Sequence, residues 1–195
     1  KNVEDFSYQF YGCNSLLSLD VSKFDTTNAN DMSYMFQDCK KLKTLNVASF
    51  DTSKVTQMQG MFTGCDSLLS LDLSDLDFSG LDDKGSFEGG PLKDYLTGCD
   101  SLTEVKSPQD MPAKYRYNNG GEKEADLFIM LPGGGWKKIE ADGKMTDTDR
   151  IVSGVPAGTV YKKFSSETTL SVSSVTLNMS SVRLYPKDTG KLAAT

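Results

Sequence analysis

With 195 residues, 37% hydrophobic and 25% charged, the chain has a globular make-up, and no apolar run is long enough to span a bilayer. A formal net charge of −6 repels phosphate backbones, so nucleic acid is not an expected partner. Histidine is absent, which removes Ser-His-Asp triads, Cys-His nucleophile pairs and the usual zinc and iron sites; neither catalysis nor a cofactor is expected.

The first half of the chain is periodic. Cys13, Cys39, Cys65 and Cys99 are spaced by 26, 26 and 34 residues. Three residues after each stands Leu16, Leu42, Leu68 or Leu102, and six after each stands Leu19, Leu45, Leu71 or Val105. Just before the cysteines come Phe10, Phe36, Phe62 and Leu96. Lys1 falls in the middle of a repeat, so the sequence is expected to be a piece of a longer protein.

Within a repeat the apolar spacing changes. Leu16 to Val21 reads L-x-x-L-x-V, whose end alternates as a strand does. After Phe50, the apolar Val55, Met58, Met61 and Phe62 fall on one face of a helical turn, with Thr52 or Ser53 as its N-cap. Such a unit cannot bury its apolar face alone; stacking copies would do so. The expected fold over 1–107 is therefore an α/β repeat solenoid, a leucine-rich repeat with one strand and one short helical turn per unit. An insertion around 82–91 lengthens the third repeat, and Pro108 ends the pattern.

If Leu19 and Val21 point inward, Ser18 and Asp20 point out, as do Thr44 and Asn46, Ser70 and Asp72, and Glu104 and Lys106. Stacked strands would join these eight into one polar surface, the candidate ligand-binding face. Asp25, Asp51 and Asp77 form a further column. A calcium ladder is one reading, and carboxylates tied to nearby backbone N–H groups is the favoured one, so no metal site is expected. The cysteines share one column and point the same way, which favours buried thiols over disulfides.

Charge divides the chain. Residues 1–107 hold 9 Lys, no Arg and 17 acidic residues, whereas 108–195 hold 12 basic and 10 acidic ones. The 108–164 stretch alternates short apolar runs with Gly/Pro turns and carries the one tryptophan, Trp136. It is expected to be a β-rich C-terminal cap over the last repeat. Residues 165–174 are Ser/Thr-rich and suit a linker.

The motif L-x-x-L-D-V/L-S-x-F-D-T-S-x-V-T-x-M-x-x-M-F-x-x-C, clearest in FDTSKVTQMQGMFTGC at 50–65, closely resembles the BspA-like leucine-rich repeats of bacterial surface proteins, also called the Mycoplasma-lipoprotein type. In 175–195, Val175, Leu177, Val182, Leu184 and Leu192 alternate like the opening of a bacterial immunoglobulin-like domain of group 2, a partial Ig-like β segment. These resemblances imply a secreted, extracellular cell-surface protein, adhesin-like, that binds a protein or glycan on host or neighbouring cells. A passive stalk, or a non-catalytic accessory region of a larger secreted enzyme, is the alternative.

Overall fold

A computed structural model describes residues 3–82, 90–118 and 121–164. The proposed linker at 165–174 and the proposed Ig-like segment at 175–195 lie outside the described residues.

Each repeat contains one very short strand, after its cysteine: β1 (Ser18–Leu19), β2 (Thr44–Leu45), β3 (Ser70–Asp72) and β4 (Glu104–Lys106). β1 pairs with β2 and β3 with β4, both in parallel, with the repeat positions in register: Leu19 faces Leu45, and Leu71 faces Val105. β5 (Lys114–Asn118) and β6 (Glu122–Asp126) form a hairpin. β7 (Phe128–Met130) pairs with β10 (Arg150–Val152). β8 (Trp136–Ile139), β9 (Met145–Asp147) and β11 (Val160–Lys163) extend the β3–β4 pair to a five-stranded sheet ordered β3-β4-β11-β8-β9.

The α/β repeat solenoid does not form. The described residues contain no α-helix, only a 3-10 turn at Ser79–Asp82, and the strands divide among four separate small sheets instead of one continuous one. The reason lies in the backbone of the segment expected to be helical. In an α-helix every N–H is spent on the carbonyl four residues back. Here alternate N–H groups close three-residue turns, as Gln37 does to Tyr34 (3.1 Å) and Cys39 to Phe36 (3.1 Å). The N–H groups between them leave the repeat: Tyr34 donates to Gln59, Phe36 to Met61 and Asp38 to Thr63, at 2.8–2.9 Å.

Two columns of left-handed residues impose this pattern. Five residues before each cysteine, φ is +57° at Tyr8, +57° at Tyr34, +60° at Gly60 and +56° at Asp94. One residue before it, φ is +72° at Gly12, +59° at Asp38, +69° at Gly64 and +77° at Gly98. No α-helix passes through such residues. Thr52, expected as an N-cap, instead donates its buried hydroxyl to the Asp77 carbonyl (2.8 Å) in the next repeat.

The apolar columns supply the core. Phe10, Phe36 and Phe62 stack nearly parallel at 5.5 and 5.7 Å, and Tyr95 closes the column edge-on to Phe62 at 5.3 Å. The fourth repeat thus fills the aromatic position from Tyr95, next door to Leu96. Met32, Met58, Leu42, Leu68 and Leu102 are fully buried around them. All four cysteines are free thiols. The Cys39, Cys65 and Cys99 thiols each donate to the carbonyl of the preceding repeat's phenylalanine, Phe10, Phe36 and Phe62, at 3.1–3.2 Å. Burial pushes Cys39 up to about 11, Cys99 to about 12 and Cys65 further still. These thiols pack as small apolar groups with little thiolate character.

The C-terminal strands close one edge. β11 runs antiparallel to β4, with Tyr161 opposite Val105, so the last parallel strand has no open side. Ser107, fully buried at the join, donates its hydroxyl to the Pro156 carbonyl (2.8 Å) and accepts from the Thr159 N–H (3.0 Å). Trp136 is buried on β8, its indole N–H donating to the Pro132 carbonyl at 2.9 Å.

Candidate functional site

The outward positions of the repeat strands share a surface. Ser18 lies beside Thr44, Ser70 beside Glu104, and Asp72 beside Lys106. Six of the eight expected residues, Ser18, Asp20, Thr44, Asn46, Ser70 and Asp72, line a groove of about 570 Å³. Leu19 and Leu45 also reach its wall, a contribution that the in-out alternation had assigned wholly to the core. Glu104 and Lys106 are not among the residues that line the groove: Lys106 pairs with the groove residue Asp72 at 2.6 Å, and Glu104 turns to Lys162 of β11 at 3.1 Å.

Local chemistry explains the acidic and amide column. Asp20, Asn46 and Asp72 each accept a hydrogen bond from the backbone N–H two residues on, at Ser22 (2.9 Å), Ala48 (3.0 Å) and Ser74 (3.0 Å). Each is an Asx-turn that ends its strand. The Ser22 bonds hold the Asp20 carboxyl below its ordinary range. Burial pushes Asp72 upward, but hydrogen bonds from Lys106 and Ser74 outweigh it and leave that carboxyl lowered. At physiological pH the groove therefore carries anionic carboxylates, amides and hydroxyls, with Thr44 and Ser70 exposed and making no side-chain bond among the described residues. That set can accept and donate hydrogen bonds to a ligand, and it holds no nucleophile–base pair.

The second aspartate column is built the same way. Asp25 accepts from the Thr27 N–H (3.3 Å), Asp51 from Ser53 (3.1 Å) and Asp77 from Ser79 (2.8 Å). Among the described residues no group of three or more His, Cys, Asp or Glu is gathered to hold a metal ion. The Thr27 hydroxyl and backbone lower Asp25, and those of Ser53 lower Asp51. A carboxyl depressed in the folded state adds stability above its ordinary pKa, and that stability is lost as pH falls through the depressed value. The melting temperature is accordingly expected to hold steady from neutrality and to decline only below about pH 4. A thermal melt series across that range checks it; a flat profile at lower pH contradicts it.

One surface feature escaped the strand-based reading. Tyr8 and Tyr34 stack at 4.9 Å, Tyr11 meets Tyr8 edge-on at 5.7 Å, and both Tyr8 and Tyr11 are about half exposed. These aromatics sit on the return segments, away from the strand positions. The 26-residue interval between Tyr8 and Tyr34 is the signal that announces them. No helix among the described residues is long and apolar enough to cross a membrane.

No curated protein and no solved structure matches the chain, and nothing supports an immunoglobulin-like domain. Over residues 1–89, the part that holds the first three repeats, the chain is similar to a family described as Mycoplasma protein of unknown function, DUF285.

Proposed function

We propose that this chain is a non-catalytic binding module of a secreted or surface-displayed bacterial protein, recognising a protein or glycan through the groove on its repeat strands. The observation that carries the reading is the convergence of Ser18, Asp20, Thr44, Asn46, Ser70 and Asp72, from three successive repeats, on one groove of about 570 Å³. Small polar side chains on short paired strands form a surface that is preorganised and hydrated, which suits a polar ligand. The acidic charge of residues 1–107 disfavours nucleic acid as that ligand. The likeness of the repeat motif to BspA-like surface proteins supports the extracellular setting and the adhesin-like role.

The alternative is a passive stalk. It draws on the Asx-turns, because the Asp20, Asn46 and Asp72 side chains already serve their own backbone. Screening the purified chain against immobilised extracellular-matrix proteins and a glycan array separates the two. The binding reading predicts a selective, saturable response to one ligand class. Wholly negative arrays would assign the chain to the stalk.

A further inference from the structure

The ladder between return segments runs in one direction, and its last step is left open. In the first repeat the Phe6, Tyr8, Phe10 and Gly12 N–H groups donate to Asp31, Ser33, Met35 and Gln37 of the second. In the third, Met58, Gly60, Phe62 and Gly64 donate to Pro91, Lys93, Tyr95 and Thr97 of the fourth, at 2.8–3.2 Å. The fourth segment has the same backbone. Tyr95 turns back to Leu92, Thr97 to Asp94 and Cys99 to Leu96, with left-handed residues at Asp94 and Gly98. Its Leu92, Asp94, Leu96 and Gly98 N–H groups therefore aim away from the third repeat, and no described residue accepts from them.

A groove of about 490 Å³ lies at that place, with Leu92 to Thr97 on one side and Tyr115, Leu127 and Met130 among the residues opposite. On the strand side β11 pairs with β4; among the described residues no strand pairs with the fourth return segment.

We propose that this groove is a peptide-binding slot, in which a segment of a partner polypeptide adds to the fourth repeat as the next member of the ladder. Its backbone carbonyls at alternate residues accept from Leu92, Asp94, Leu96 and Gly98, and its apolar side chains meet Leu127 and Met130. Donors repeated at every second residue match the carbonyl period of a polypeptide, which the hydroxyls of a sugar do not share. The slot continues by one step the interface that already joins the repeats. None of the strand-groove residues lines it, so the two sites stand or fall separately.

The test is residue-resolved amide hydrogen exchange on the whole chain, with a synthetic peptide of residues 57–64 as the probe. In place, that segment already offers its carbonyls at Gln57, Gln59, Met61 and Thr63 to the second repeat. In the free chain, Leu92, Asp94, Leu96 and Gly98 should exchange at least about tenfold faster than Met58, Gly60, Phe62 and Gly64. Saturating peptide should slow those four by at least about tenfold, and Met130→Arg, at an exposed residue of the wall, should abolish the effect without lowering the melting temperature. Equal slow exchange in the free chain, or no protection by the peptide, would overturn the proposal. Protection that rises with chain concentration alone would also overturn it, since the occupant would then be a second copy.

Discussion

Replacing Phe62 by alanine is expected to destabilise the chain by about 3–5 kcal/mol, the largest single loss available in the repeats. Phe62 is fully buried, stacks on Phe36 at 5.7 Å, and takes the edge of Tyr95 at 5.3 Å. Truncation empties the middle of the aromatic column, and the neighbours cannot close over the space. The Phe62 N–H and carbonyl are bonded to Tyr95 and to the Cys99 thiol respectively, so the backbone is held where it is. Phe62→Leu retains most of the volume and loses chiefly the ring pairs, each worth about 0.5–1.5 kcal/mol. Phe10→Ala offers the internal comparison. Phe10 is only partly buried at the start of the column, and its loss should be the smaller. Chemical denaturation of the three variants should rank them Phe62→Ala, then Phe62→Leu and Phe10→Ala, by unfolding midpoint. Equal midpoints for Phe62→Ala and Phe10→Ala would contradict the column.

The second large effect is expected at Trp136. This side chain is 1% exposed on β8, the strand that backs β11 in the five-stranded sheet. Trp136→Ala should cost about 3–5 kcal/mol by the same cavity argument. It should also loosen β11, which exposes the edge of β4, and an exposed parallel edge recruits other chains. Aggregation on warming is therefore expected to start earlier in this variant than in Phe62→Ala. Trp136→Phe loses the 2.9 Å bond to the Pro132 carbonyl, but Lys163 Nζ also donates to that oxygen at 3.1 Å. Its cost should stay near 1 kcal/mol, the net worth of one hydrogen bond. Light scattering during a thermal ramp, read with circular dichroism, tests both variants. A melting temperature unchanged in Trp136→Ala would sink the role given to β8 and β11.

The columns of the repeat were legible because burial follows side-chain identity: Cys39, Cys65 and Cys99 and their neighbouring leucines are all buried. The outward strand positions were legible for the same reason, since two-residue alternation leaves Ser18, Thr44 and Ser70 no other place to go. The helix was misread because Met58, Met61 and Phe62 satisfy the spacing of a helical face equally well when the chain runs as a series of turns. The correcting signal was present in Gly12, Gly64 and Gly98, one residue before three of the four cysteines. Glycine recurring at one position marks a left-handed backbone requirement, and each costs about 1 kcal/mol inside a helix. The sheet join was illegible in a different way. Val105 meets Tyr161, 56 positions further along the chain, and no periodicity reports a pairing that distant. The engagement of Glu104 and Lys106 with Lys162 and Asp72 followed from that join and from the fit of the last two repeats, so neither was visible in the chain's pattern.

The most direct test of the binding account is the affinity of a Thr44→Arg, Ser70→Arg double variant for whichever matrix protein or glycan the unmodified chain selects. Both residues are exposed on the groove, and neither side chain serves the fold, so the melting temperature should stay within about 2 °C of the parent. Two arginines fill the groove and cancel the charge of Asp20 and Asp72, and the account predicts affinity weakened by at least about tenfold. An affinity unchanged in the folded double variant would show that the strand groove is not where this chain binds.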